Sequence, residues 1–250
     1  MTMGAIGAAF AIAYWTIYRD VEKVDLSPDE RKCLGLQGAE PRVTARSWLR
    51  LFRYRTCWGL ILGAFCQNWT SWIFMGWLPL FLEAQFHLSV ARTGILAMLP
   101  FVGGVAGAMC GGLVSDLAER RGVSTVTSRK IPIVTGTLGL AVFTGATGFA
   151  DSLPTALTLS FFALFCWAAA LAGMWTATSV LVSRVHVASV TTIFNSAGFI
   201  GATLSPLVTG RVLDLTGSFF ITLLIGAGIG LVGAAVIAIM IRAPITESTD

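Results

Sequence analysis

The chain has 250 residues, of which 55% are hydrophobic and only 12% are charged. Soluble globular domains carry about 25% charged residues, so this composition excludes an ordinary soluble domain. The formal net charge is +4, and nine of the 17 cations lie between Arg19 and Arg55, where six carboxylates accompany them. Most of the others flank apolar runs, which favours a positive-inside membrane topology and argues against a nucleic-acid partner.

The chain begins with an apolar run over residues 1–18 that Arg19 follows directly. No cation precedes this run, whereas a secretory signal begins with one. We therefore expect a partial transmembrane span with its N-terminus outside. Residues 19–56 are polar and are predicted to form a cytoplasmic central loop. Within it, Ser27-Pro28-Asp29-Glu30 has the pattern of a helix start, with Ser27 as N-cap.

The end of this loop combines aromatic residues with arginines between Trp48 and Arg55. One interpretation is an amphipathic segment that lies on the anionic inner leaflet. The other is a solvated linker helix. The sequence leaves both open.

Six long apolar runs follow, and each is long enough to cross a membrane as a helix. Short loops predict antiparallel neighbours. The predicted fold is all-α: a polytopic membrane protein with a six-helix bundle over residues 57–242 and a cytoplasmic tail over residues 243–250. The runs are Cys57–Leu82, Val90–Ser115, Ile131–Ala150, Pro154–Val182, Ser189–Leu213 and Ser218–Ile241.

A charged hinge, Gly111–Lys130, separates the second run from the third. Asp116 closes the apolar part, and four cations follow: Arg120, Arg121, Arg129 and Lys130. If the central loop is cytoplasmic, the loops that contain these cations and Arg184 are cytoplasmic too. Only Arg92 and Arg211 then lie on the opposite side. The bias predicts a multi-pass protein of the cell membrane with a cytoplasmic C-terminus.

Glycines recur at four-residue spacing in three of the runs. Such spacing indicates close helix packing, because small residues let helix backbones approach in lipid. The glycines are Gly59 and Gly63; Gly103, Gly107 and Gly111; Gly226 and Gly230.

The apolar runs contain no fully embedded Asp, Glu, Lys, Arg or His. Proton relays and ion-coupled transport need such a group within the membrane. The two histidines, His87 and His186, lie in loops, and neither a Ser/His/Asp set nor a metal-ligand cluster is visible. The sequence therefore predicts no enzyme, no cofactor and no metal site.

Uncharged polar residues do occur inside the runs. Amides are costly in lipid unless they face a partner or a watery cavity, so asparagines there are candidates for binding a polar solute beside tryptophans. The alternative is that they bond neighbouring helices. The candidate substrate-binding residues are Gln67, Asn68, Trp72, Trp175 and Asn195.

Four motifs in chain order resemble the major facilitator superfamily, and most closely its anion:cation symporter branch. Gly111 to Asp116, with Arg120-Arg121-Gly122 and Ser128-Arg129-Lys130, is similar to the loop between helices eight and nine. The others resemble helix seven, helix eleven and the entry to helix twelve: Asn68-Trp69 with Trp77-Leu78-Pro79; Phe194-Asn195 with Gly198, Gly201, Pro206 and Gly210; Asp214 to Phe219. Residues 1–18 and 19–56 resemble the end of helix six and the central loop.

This resemblance implies a secondary transporter that imports an organic anion, such as a sugar acid or an aromatic carboxylate, with the proton as coupling ion. Asp116 would belong to a cytoplasmic gate, together with Arg120 and Arg121. The sequence differs from the family pattern in two respects. Phe199 stands where the branch often has a second asparagine, and family members have twelve helices in two halves, so the N-terminal six-helix half is expected to be missing.

Three functional hypotheses follow. The first is the C-terminal half of such a transporter, from a truncated or split product that is not competent alone. The second is a half-transporter that a second copy completes. The third is a non-transporting six-helix membrane remnant or interaction partner.

Overall fold

The computed structural model describes residues 2–18 and 44–245, and the chain divides into two units at residue 42. The first unit contains helix α1, Thr2–Ile17. Its 16 residues span about 24 Å, which is less than the hydrocarbon thickness of about 30 Å. The predicted helix start at Ser27–Glu30 and most of the predicted central loop lie outside the described residues.

The second unit is a bundle of helices. It begins with the short helix α2 and a 3-10 turn at Leu51–Arg53, and a second 3-10 turn, Arg184–His186, precedes α8. The helices are α2, Ala45–Arg50; α3, Arg55–Phe86; α4, Val90–Leu96; α5, Leu99–Arg120; α6, Thr125–Thr147; α7, Leu153–Leu181; α8, Val187–Thr216; and α9, Phe219–Met240.

All six predicted apolar runs are helical, which confirms the all-α polytopic fold. Among the described residues, five segments have both the length and the hydropathy of membrane spans: Val90–Arg120, which joins α4 and α5; α6; α7; Arg184–Thr216, which joins the second 3-10 turn and α8; and α9. Helix α3 is long enough at 32 residues, but the polar residues near Gln67 and Asn68 lower its hydropathy. Of the helices that follow each other in the chain, α6 and α7 pack closely, whereas α8 packs mainly against α3 and only slightly against α7.

Helix ends coincide with capping residues. Ser124 and Ser152 accept a backbone hydrogen bond at the start of α6 and α7, respectively. Pro100 and Pro154 occupy first turns, where proline removes no helical hydrogen bond. Gly122 has a φ of +83°, a left-handed conformation that glycine adopts without strain, and it reverses the chain between α5 and α6.

Glycines set the distance between neighbouring helices. Along α5, a Cβ on Gly103, Gly107 or Gly111 would overlap a backbone carbonyl of α7. The same holds for Gly201 of α8, which lies against Phe65 of α3. These contacts confirm the packing role predicted for glycines at four-residue spacing.

The packed helices form a series that does not close into a ring, and we call the side between its first and last helix, α5 and α8, the open face. Helix α7 packs between α5 and α6, α9 packs between α6 and α3, and α8 packs against α3. Helices α5 and α8 therefore stand at the two edges of the open face. Accordingly, in an apolar stretch of 18 residues from each span, only 28% of the residues are buried in the spans that contain α5 and α8, against 50% in α7.

Residues 243–245 pack against one end of the bundle. The Thr56 hydroxyl donates to the Ala243 carbonyl at 2.7 Å, and Val182 and Ile245 form a parallel backbone bridge. Ile245 is only 2% exposed and packs near Leu51, which precedes α3. Leu51 and Ile245, which the sequence assigns to the loop and the tail, are thus buried in the bundle.

Candidate functional site

Asn68 lies on α3 where that helix packs against α8. Its amide nitrogen donates to the Ala64 carbonyl of its own helix at 3.0 Å. A Cβ on Gly198 of α8 would lie 2.7 Å from that nitrogen, so this glycine makes room for the asparagine. The half-buried side chain keeps one amide N–H and its carbonyl oxygen for another partner.

Asn195 lies on α8, one helical turn before Gly198, and is also half-buried. Its side chain makes no hydrogen bond with any residue that the structure describes. The preceding residue, Phe194, is buried and contacts Trp175 of α7 edge to face, with ring centroids 5.6 Å apart. Trp175 is 44% exposed.

Trp72 follows Asn68 by four residues on α3, so the two share one stripe of the helix. It is half-buried. Together with Asn195 and Trp175, these residues lie on three helices, and their role in binding a solute stays a prediction.

Gln67 lies on a different side of α3. Its side chain is fully buried, and its amide nitrogen donates to the Thr137 hydroxyl of α6 at 2.6 Å. Its carbonyl oxygen has no partner among the described residues. Consecutive helical residues point about 100° apart, so Gln67 bonds a neighbouring helix while Asn68 lies against α8.

An apolar groove extends from Trp175 between α5 and α7. Its volume is about 550 Å³, and aromatic and aliphatic side chains line it, among them Phe101, Val105, Trp167 and Leu171. The aromatic surface at Trp175 thus continues onto the neighbouring helix α5.

A charged cluster joins α5 to α6. The Arg129 guanidinium donates to the Asp116 carboxylate at 3.1 Å and to the Glu119 carboxylate at 2.9 Å. The Arg129 side chain is 12% exposed, whereas those of Asp116 and Glu119 are 61% and 41% exposed. The cation is therefore shielded between two more exposed anions.

The sequence proposes Arg120 and Arg121 as gating residues with Asp116. Both are exposed, and neither has an ion pair within the described part of the chain. The partner of Asp116 is Arg129, which belongs to the Ser128-Arg129-Lys130 motif. The Ser128-Arg129-Lys130 motif is the only sign of this pairing in the sequence, because several other cations close to Asp116 could have paired with that carboxylate.

The charged cluster marks what we call the basic end of the bundle, where α3, α6 and α8 begin and α5, α7 and α9 end. Lys130 caps this end of α9 by donating a hydrogen bond to the Ala238 carbonyl. The last four carbonyl groups of a helix have no hydrogen-bond partner within the helix, and Ala238 supplies one of them. Among the described cations, Arg92 and Arg211 lie at the opposite end and the others lie at the basic end. The membrane orientation of this end stays a prediction.

The described residues contain no group of three or more His, Cys, Asp or Glu side chains that could hold a metal ion. The candidate substrate-binding residues carry amides and indole rings. Such groups bind by hydrogen bonding and by packing on apolar surfaces, without proton transfer by an ionisable side chain.

The long apolar helices, the glycine-packed interfaces and the open face with polar side chains define a polytopic membrane protein of the transporter class. The family model of the Major Facilitator Superfamily matches residues 1–128. The chain therefore belongs to the Major Facilitator Superfamily, which confirms the assignment to a family of transporters and not to enzymes.

The chain is similar to sugar-acid transporters. It is 35% identical over 250 residues to a protein named "Probable L-galactonate transporter" from Escherichia coli K12, covering 99% of this chain and 55% of the relative. It is 28% identical over 232 residues to the "Probable galactarate/D-glucarate transporter GarP" of the same strain, covering 87% of this chain and 52% of the relative. A "D-galactonate transporter" of Escherichia coli O6:H1 is 29% identical over 197 residues, with coverages of 78% and 45%.

A solved structure supports the fold. The crystal structure of a bacterial homologue of the human lysosomal transporter Spinster, inward-facing and unoccupied, has a TM-score of 0.56 and 17% identity, with 95% of this chain and 56% of that chain covered. At this identity the likeness concerns the fold alone. The chain spans about half the length of the relatives that it matches.

Proposed function

We propose that residues 55–241 form one half of a secondary transporter for organic anions of the sugar-acid type. In this proposal the open face between α5 and α8 is one wall of a central cavity. Asn68 and Asn195 hydrogen-bond the solute, while Trp72 and Trp175 pack against its apolar side. A second six-helix half of different sequence supplies the opposite wall.

The observation that carries this proposal is the free hydrogen-bonding capacity of Asn195. An amide inside a membrane protein is normally satisfied by a protein group, or it faces water or a ligand. Asn195 is half-buried on a helix at the edge of the open face, and no described residue bonds its side chain. A sugar acid has hydroxyl and carboxylate groups that an amide can bind as donor and as acceptor.

The proposal also assigns roles to Gln67 and Phe199 and a place to the coupling proton. Gln67 lies behind this surface and holds α3 against α6, so we expect it to position Asn68 without touching the solute. Phe199 lies one turn beyond Asn195 and is 59% exposed, and it makes this part of the wall apolar. The coupling proton binds in the other half, because the middle of the described spans carries no Asp, Glu, Lys, Arg or His.

The gate of the proposed transporter is the charged cluster at the basic end. Arg129 holds Asp116 and Glu119 in place across the turn between α5 and α6. During alternating access, the two halves rock against each other. We propose that this end contacts the other half when the cavity is closed on that side, and that Arg120 and Arg121 are the exposed cations available for this contact.

The test is uptake of a radiolabelled sugar acid, such as L-galactonate or galactarate. Cells express either this chain alone or this chain together with the first six-helix half of the Escherichia coli L-galactonate relative. We expect no accumulation with the chain alone. With both halves we expect accumulation that an uncoupler abolishes. Uncoupler-sensitive accumulation by the chain alone would contradict the proposed half-transporter.

The residue test compares Asn195→Ala with Thr203→Ala in the two-half system. Loss of one substrate hydrogen bond corresponds to about 1–1.5 kcal/mol, so Asn195→Ala should lower uptake about tenfold. Thr203 lies on the same helix, but its hydroxyl is bonded to the Phe199 carbonyl, and its variant should transport normally. Equal uptake by both variants at equal membrane levels would remove Asn195 from the site.

A further inference from the structure

The segment Ala45–Trp58, which we call the arginine–aromatic segment, precedes and enters α3 at the basic end. It bends away from the axis of α3 because Tyr54 is extended, with a φ of −83° and a ψ of 125°. The Trp58 indole donates to the Phe52 carbonyl at 2.8 Å and closes this bend. The segment is thus held at a defined angle to the membrane-spanning helix.

One side of the segment is anchored to the bundle. Leu51 is 3% exposed and belongs to a core cluster that also contains Leu181 and Ile241. Next to it, Phe52 contacts Trp48 and Trp58 edge to face, with ring centroids 5.3 Å and 6.0 Å apart. The three rings form a continuous aromatic row at the point where α3 begins.

Outside these contacts the segment is open and carries both apolar and cationic groups. Leu49 is 62% exposed and Trp48 is 38% exposed. Arg46, Arg50 and Arg53 are exposed as well, and their spacing of four and three places them on one stripe of a helix. None of these arginines has an ion pair in the described ranges, and residues 41–82 contain no Asp or Glu.

We propose that the arginine–aromatic segment binds the anionic phospholipids of the leaflet at the basic end. Trp48 and Leu49 enter the boundary between headgroups and acyl chains, a layer that amphipathic aromatic rings favour. The guanidinium groups of Arg46, Arg50 and Arg53 bind lipid phosphates, whose geometry matches the planar donor fork of arginine.

The position of the segment favours a lipid surface over a soluble acidic partner. Trp48 and Leu49 lie on the same short segment as the three arginines, immediately before the helix that enters the hydrocarbon core. A soluble acidic partner would match the arginines, but it offers no apolar layer for Leu49 beside the membrane. A bilayer surface offers both, and anionic lipid supplies the negative charge that residues 41–82 lack.

The first experiment measures lipid affinity of the full chain in detergent by native mass spectrometry, with phosphatidylglycerol and phosphatidylcholine as probes. The test variant is Arg46→Gln/Arg50→Gln/Arg53→Gln. The control is Arg92→Gln/Arg184→Gln/Arg242→Gln, which removes three exposed cations elsewhere. We expect the parent chain and the control to prefer phosphatidylglycerol, and the test variant to bind it at least about tenfold more weakly.

Two results of this experiment would overturn the proposal. The preference for phosphatidylglycerol could survive in the test variant, or both triple variants could lose it equally, which would make it an effect of net charge. Millimolar inorganic phosphate serves as a third probe. If phosphate displaces the lipid completely from the parent chain, the segment is a site for a free anion and the proposal fails.

A second measurement uses the unaltered arginines, so it remains informative if the triple variant does not fold. The full chain is placed in bilayers that contain phosphatidylglycerol with brominated acyl chains. The emission of Trp48 is obtained as the difference between the parent chain and Trp48→Phe. We expect bromine to quench this emission and aqueous iodide to leave it nearly unchanged. Quenching by iodide but not by bromine would place Trp48 in water and contradict the proposal.

Discussion

The guanidinium of Arg129 donates to the carboxylate of Asp116 at 3.1 Å, so a charged contact joins α5 to α6 across the tight turn at Gly122. The same guanidinium bonds Glu119, which lies in the last turn of α5. A negative charge there is disfavoured by the helix dipole. Arg129 therefore offsets an unfavourable charge as well as fixing the turn.

The first prediction concerns the coupling between Arg129 and Asp116. Because both carboxylates are more than one-third exposed, solvent screens the pair. A double-mutant cycle of Arg129→Gln and Asp116→Asn should give a coupling free energy of about 0.2–1 kcal/mol. The measurement is the free energy of unfolding in mixed micelles, and the coupling should shrink in 1 M salt.

Arg120→Gln is the control for this cycle. Arg120 is exposed, and the structure shows no ion pair between it and any described residue. Its cycle with Asp116→Asn should give a coupling free energy close to zero. A coupling as large as that of Arg129 would mean that Asp116 exchanges between the two arginines.

The second prediction concerns the contact between α5 and α7. A Cβ on Gly107 would overlap the Phe165 carbonyl, whereas a Cβ on Gly112 of the same helix meets nothing within 4 Å. We expect Gly107→Ala to separate the helices and to lower the free energy of unfolding by about 1–3 kcal/mol. Gly112→Ala should be neutral or stabilising by up to about 1 kcal/mol, because alanine is the better helix former.

Unfolding of both variants in the same detergent tests this comparison. Equal stabilities would show that α5 and α7 adjust to the extra methyl group, and that Gly107 does not set the distance between them.

The third prediction separates a packing role of Gln67 from a role in binding. The Thr137 hydroxyl donates to the Ile133 carbonyl and accepts from Gln67, so it keeps a partner when the amide is removed. Gln67→Leu also removes a buried carbonyl oxygen that has no partner among the described residues. It should therefore leave the free energy of unfolding unchanged or raise it by up to about 1 kcal/mol.

The matched change is Thr137→Val, which leaves the Gln67 amide buried without an acceptor. It should lower the free energy of unfolding by about 1–3 kcal/mol. In the two-half uptake assay, Gln67→Leu should retain transport. Stable protein with abolished uptake would instead place Gln67 in contact with the solute.

The helices and their glycine contacts could be predicted from the sequence because both are local properties. An apolar run of twenty residues in lipid has to satisfy its backbone internally, and this requirement dictates a helix whatever lies beside it. Gly103, Gly107 and Gly111 share one stripe of α5 by their spacing alone. The sequence could therefore indicate which face of α5 packs closely against another helix, but it could not indicate that this helix is α7.

The pairing of side chains could not be predicted in the same way. Gln67 and Asn68 are adjacent amides of similar polarity, and only the rotation of α3 within the bundle decides which of them is buried against α6. Asp116 had several candidate cations within one short loop. The turn at Gly122 brings Arg129 back to Asp116, and that geometry is a tertiary property.

The last prediction concerns the C-terminal residues at the basic end. Ile245 is 2% exposed in a core cluster with Leu181 and Val182, and its backbone N–H donates to the Leu181 carbonyl at 2.6 Å. We expect Ile245→Ala to lower the free energy of unfolding by about 2 kcal/mol, because it leaves a cavity where α7 ends. Arg242→Ala changes an exposed neighbour and should have an effect below about 0.5 kcal/mol. Chemical unfolding in micelles measures both, and equal effects would show that residues 241–245 do not hold the ends of α7 and α9 together.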